Sequence, residues 1–191
     1  LVEKYKSDDQ QTVATTEIIK NNVTENPDAE IDVKGFQQAW IDLKDTHNFF
    51  TMLRKFGVTR TQALRLAPTD YHAKKINKDS IVQMLEKAAK NQTPIMVFTG
   101  NKGNIQIHTG AISRTLWHNN WFNILDPEFN LHLDMDKVAE TWIVRKPTED
   151  GIVTAIEVFN EEGEIIVQFF GKRKPGIPEL EEWKEIVAEL D

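Results

Sequence analysis

From residue 36 to residue 56 apolar side chains return at steps of three or four. The stripe Phe36, Trp40, Leu43, His47, Phe50 and Leu53 predicts one helix with a single buried face, with His47 in its middle. Gly57 predicts a C-cap, and Thr59 with Gln62 predicts a capping box that opens a second helix through Ala63, Leu64 and Leu66 to Pro68. A third helix is predicted over residues 80–90. After Pro94 the pattern shortens to alternating or unbroken apolar runs, which predict strands over 95–99, 104–109, 121–125, 129–133, 141–146, 152–159 and 164–170. Turn residues separate most of them, among them the segment Asn101-Lys102-Gly103-Asn104, Asp126-Pro127, Asp150-Gly151 and residues 160–163. A final amphipathic helix after Pro178 places Leu180, Trp183, Ile186, Val187 and Leu190 on its buried side. The fold class predicted is α+β: N-terminal helices packed on a large antiparallel β-sheet (a meander), with a closing C-terminal helix. Residues 1–33 are polar and read as a linker or arm, and residues 34–191 as one domain.

Composition narrows the chemistry. The chain has no cysteine, which removes disulfides, thiolate zinc sites, iron–sulfur clusters and cysteine nucleophiles; a metal would be held by histidine, carboxylate or another oxygen donor. A net charge of −7 opposes binding through phosphate neutralisation, so no nucleic acid is expected as a partner. No apolar run approaches the roughly 18 residues of a membrane span, which predicts a soluble protein without membrane insertion. Two local basic clusters, Arg145-Lys146 and Lys172-Arg173-Lys174, read either as solvated strand ends or as anion sites.

The strand pattern puts Trp142, Val144 and Lys146 on one face, and Ile166, Gln168 and Phe170 on one face. Such faces suit a flat apolar ligand with anionic substituents, and equally an ordinary half-exposed sheet. His47, set among aromatic neighbours, must hydrogen-bond or ligate something. By residue type it is either a satisfied structural histidine or an axial ligand in an apolar pocket. His108 and His132 lie in different predicted strands with no carboxylate motif beside them, a weak basis for zinc, while His72 and His118 are predicted in loops. No nucleophile elbow, phosphate loop, dinucleotide fingerprint or calcium loop is found.

Five segments in order, DTHNFFTMLRKFGVTRTQAL from Asp45, PIMVFTGNKGNIQIHTG from Pro94, WFNILDPEFNLHL from Trp121, VRKPTEDGIVTAIEVF from Val144 and QFFGKRKPG from Gln168, resemble the bacterial hemin-degrading and heme-trafficking proteins of the HemS, HmuS, ChuS and PhuS type. The resemblance runs over nearly all of residues 35–190. It implies one half of a two-repeat architecture, the C-terminal half, with the connecting linker ahead of it. It implies heme as the cofactor and cytoplasmic heme binding for iron acquisition, with heme degradation or intracellular trafficking as the activity. Implied partners are heme, a heme uptake transporter or a downstream heme oxygenase, and either self-association or pairing with an N-terminal half. His47, in the D-x-H-x-F-F stretch, is implied as the axial iron ligand, and Phe98, Lys146, Gln168, Phe170 and Arg173 as further heme contacts. Phe170 stands where some relatives carry tyrosine, and the distal arginine that some relatives take from the other half has no match here.

Two other readings compete with heme binding. The segment LRKFGVTRTQALRLA has the two short helices and central glycine of a helix-turn-helix DNA-binding regulator, with Arg60 and Arg65 on its second helix. A non-catalytic structural half-domain predicts no heme binding at all.

Overall fold

In the computed structural model, which describes residues 2–6, 8, 24–101 and 103–190, the stripe of residues 36–56 folds as two helices. These are α1 (Val33–Ile41) and α2 (Asn48–Phe56). The break has a local cause. The Asp45 carboxylate accepts the His47 amide at 2.8 Å, an Asp turn that competes with continued helix, and the Lys44 carbonyl accepts the Glu149 amide at 3.1 Å instead of closing a helical turn. The interruption shifts the phase of the second helix. Phe49, Met52 and Leu53 are buried there, whereas Phe50 is 59% exposed. His47 consequently stands at the N-terminus of α2 and not inside a buried helix face.

Gly57 closes α2 in the left-handed region at φ 64°, as its position predicts. A side chain there is strained, so Gly57→Ala is expected to cost about 1–2 kcal/mol, read as a lower urea midpoint at unchanged slope. Thr59 caps α3 (Arg60–Arg65) by accepting the Gln62 amide. The Gln62 side chain does not close the box; it donates to the Asn26 carbonyl and the Asp28 carboxylate. With the Glu25–Arg65 ion pair, these bonds fasten residues 25–28 to α3. Most of the expected N-terminal arm, residues 9–23, lies outside the described residues, as does Lys102 in the turn after β2. Near the start, Val2–Tyr5 forms a helical turn.

The predicted strands form, with two more that alternation did not reveal: β1 (Ala73–Ile76) and β4 (Thr115–His118). The others are β2 (Ile95–Gly100), β3 (Ile105–Gly110), β5 (Trp121–Asp126), β6 (Phe129–Asp134), β7 (Glu140–Thr148), β8 (Gly151–Phe159) and β9 (Ile165–Gly171). The expected single meander is divided into two sheets, a six-stranded one in the order β1-β7-β8-β9-β2-β3 and a three-stranded one in the order β4-β5-β6. All pairings are antiparallel, so the α+β class stands. Helix α4 (Ser80–Asn91) precedes the strand-rich part and α5 (Glu181–Ala188) closes it, with Trp183, Ile186 and Val187 buried.

Alternation gives the large sheet two faces, and each has its own core. Ile143, Ile156, Val167, Phe169 and Val97 point to α4, α5 and the small sheet. Trp142, Val144 and Phe159 point to α1, α2 and α3, where Trp40 is fully buried and donates its indole N–H to the Arg145 carbonyl at 3.0 Å. The first three helices cover this second face only over β1, β7 and part of β8. Beyond them β9, β2 and β3 leave it open, with Ile105 and Ile107 more than half exposed on the edge strand. No helix among the described residues is long and apolar enough to cross a membrane.

Candidate functional site

Where the helical cover ends, a cavity of about 520 Å3 opens between the N-terminus of α2 and the uncovered sheet face. Register explains its walls. Phe98 pairs with Gln168, Met96 with Phe170, and Lys146 with Val153, so alternate residues of four strands face the same space. His47, Phe98, Lys146, Gln168, Phe170 and Arg173 all line it. Residues that sequence reasoning placed on separate helices, strands and loops are thus brought together around one cavity. Phe98 and Phe170 meet edge to face at 5.3 Å, which fixes both rings as a rigid apolar wall. Arg173 enters from the loop after β9, 3.7 Å from the Asp150 carboxylate, and its side chain is 18% exposed.

His47 stands at the rim with a side chain 91% exposed. Its Nδ1 lies 2.7 Å from Asp45 Oδ1, the same oxygen that accepts the His47 amide. The His47 amide and ring hold the Asp45 carboxyl below its ordinary range. A neutral imidazole donating from Nδ1 to this carboxylate presents the Nε2 lone pair outward, the carboxylate–histidine arrangement that fixes the tautomer of metal-ligating histidines.

The inner wall is ionic. Glu157 is fully buried, and Arg60 forks it, Nε to Oε2 and Nη2 to Oε1, both at 2.7 Å. Lys146, 4% exposed, donates to the same Oε1 at 2.7 Å. Burial pushes the Lys146 ammonium down to about 8, against the pull of Glu157. Burial alone would raise Glu157, but Arg60 and Lys146 together hold its carboxyl well below the ordinary carboxylate range. Lys146 is therefore not the free cation at a strand end that its sequence position suggests.

Arg60 and Glu157 are the residues of this wall that sequence reasoning missed. Their signal was present in one place: Glu157 is the lone charge in the run IVTAIEVF, and a charge at a buried strand position requires a partner. The partner, Arg60, lies in the segment with the helix-turn-helix pattern. In the fold that helix is six residues long with Gln62, Ala63 and Leu64 buried, while Arg60 is bound to Glu157 and Arg65 to Glu25. Such committed arginines do not suit a base-reading surface. His108 and His132 border a different cleft, where His108 stacks on Phe129 at 3.8 Å and His132 bonds Asn123. Among the described residues no group of three or more histidines and carboxylates is placed to hold a metal ion. His118 lies in β4 and not in a loop.

Comparison with known proteins gives a consistent result. Residues 57–190 match the haemin-degrading HemS.ChuX domain. The chain is 41% identical over 151 residues to the hemin transport protein HmuS of Yersinia pestis, an alignment that takes in 79% of this chain and 44% of that protein. The crystal structure of holo-PhuS, a heme-binding protein from Pseudomonas aeruginosa, matches with a TM-score of 0.92 and 44% identity, over 100% of this chain and 55% of that one. ChuS, described as an E. coli heme oxygenase, matches with a TM-score of 0.81 and 38% identity, over 88% of this chain and 50% of that one. The chain spans about half the length of these relatives.

Proposed function

The chain belongs to the haemin-degrading HemS.ChuX domain family, and from that membership we propose that it binds heme in the cavity under His47 as part of cytoplasmic heme-iron acquisition. The observation that carries this reading is the convergence of an Asp45-oriented imidazole, an apolar Phe98–Phe170 wall and the Arg173 cation on one cavity. In this reading His47 Nε2 would ligate the heme iron. Met96, Phe98 and Phe170 would pack on the apolar face of the heme, and Arg173 would pair with one of its carboxylates. Gln168 and Lys146 act from the inner wall, where both are bonded to Glu157. The rim position of His47 favours a carrier, since a ligand at the mouth of an open cavity lets the cargo enter and leave intact. Heme degradation, the activity named for ChuS, is the second reading. It requires O2 and electrons to reach the cargo.

Titration of the purified chain with hemin tests the proposal. A Soret shift saturating at one equivalent is the expected result, and spectra equal to free hemin at every ratio would sink it. Arg173→Met is expected to weaken binding roughly tenfold to a hundredfold, because a partly desolvated charge-assisted pair contributes about 1.5–3 kcal/mol. Dissociation rates measured by transfer to an excess of an apo-heme acceptor read that change directly.

A further inference from the structure

Glu157 does not line the cavity, yet three side chains that do are bonded to it. Its Oε1 accepts Arg60 Nη2 at 2.7 Å, Lys146 Nζ at 2.7 Å and Gln168 Nε2 at 3.1 Å, and its Oε2 accepts Arg60 Nε at 2.7 Å. These donors come from three elements: Arg60 opens α3, Lys146 sits in β7 and Gln168 in β9. We propose that Glu157 is the positioning residue of the cavity, fixing Arg60, Lys146 and Gln168 in its inner wall and leaving that wall with a net positive charge complementary to a carboxylate-bearing cargo.

The charge count and the geometry both lead there. Two cations share one buried anion, so the cluster is positive by one charge. Both cations also lie over the ring of Phe49, Lys146 Nζ at 4.5 Å and Arg60 Cζ at 5.2 Å from its centre. The ring fixes their approach from the helical side, and Glu157 fixes it from the sheet side. The fork uses Nε and Nη2 of Arg60, leaving Nη1 outside it, and one bond from Lys146 leaves two ammonium protons for other acceptors. Without the anion, two like charges would face each other in the inner wall, Lys146 almost fully buried. Lys146, already pushed down to about 8 by burial, would then be pushed lower still. The wall would keep a single charge, on Arg60, and would lose the common anchor of its three donors.

This inference rests on the heme reading for its consequence, although not for its first readout. In the protein without hemin, 15N-lysine NMR of Glu157→Gln is expected to show Lys146 titrating lower than the value of about 8 in the unaltered chain. Hemin dissociation from the same variant is expected to be about tenfold faster as the donors lose their anchor, with the histidine-ligated spectrum retained, because His47 is held by Asp45 and not by the Glu157 cluster. If Glu157→Gln does not fold, Lys146→Met serves in its place. It leaves the Arg60–Glu157 fork intact, and the same tenfold acceleration is expected from the lost charge. An unchanged Lys146 titration in Glu157→Gln, or a wild-type dissociation rate in Lys146→Met, overturns the proposal. Failure of the unaltered chain to bind hemin overturns the heme reading instead and leaves the NMR result standing.

Discussion

His47→Ala is expected to abolish histidine ligation of bound hemin, with a loss of affinity larger than the 10–100-fold that removal of an outer-shell partner costs at a metal site. Two features make the substitution clean. The side chain is 91% exposed, so its removal opens no void in the core, and His47 makes no capping bond to α2. Stability should therefore stay within about 0.5 kcal/mol of wild type, as for other exposed positions away from special features. Resonance Raman spectra of the ferric complex, read beside the thermal midpoint, separate ligation from folding. A histidine-ligated spectrum that survives unchanged removes His47 from the site, whatever the affinity does.

How far such a site can be read from sequence depends on where its order is encoded. Strands β2, β3 and β5 to β9 were legible because alternation and turn residues are local signals, and α5 was legible from the spacing of Trp183, Ile186 and Val187. Strand β1, with the burial pattern of Ala73-Lys74-Lys75-Ile76, is too short and too charged to carry a period. Helices α1 and α2 read as one because apolar spacing continued across the break by coincidence. The interruption is written in one side chain, Asp45, and in a backbone bond to Glu149 more than a hundred residues on. Face assignment placed Lys146 and Gln168 on amphipathic surfaces, and both do point at the cavity. Convergence on it was not legible, because it depends on β9 pairing with β2 across the sheet, a register that no local pattern specifies. The Arg60–Glu157 bond was hidden for the same reason, since its partners lie 97 residues apart.

Glu157→Leu is expected to destabilise the fold by about 3–5 kcal/mol at neutral pH, the usual cost of removing one side of a buried ion pair. The loss arises from what remains, an Arg60 guanidinium and a Lys146 ammonium left largely buried without their anion. Lys146 limits the damage by giving up its proton, whereas Arg60 cannot. Against a typical domain stability of 5–15 kcal/mol, the variant should be marginal and still measurable by chemical denaturation. The unaltered chain should also be sensitive to acid, and the sign follows from the direction of the shift. Glu157 titrates near 4.5 when unfolded and far lower when folded, so the unfolded state binds the proton first. Its contribution is complete above pH 4.5 and is lost progressively as pH falls below that value. Lys146 acts at the other end of the scale. Its folded value of about 8 lies below the ordinary 10.5, so stability rises with pH between those two values as the cost of burying the ammonium recedes. Denaturation midpoints from pH 3 to pH 10 should trace both limbs, and Glu157→Gln should flatten the acid one. An acid limb equally steep in that variant would assign the sensitivity to other carboxylates.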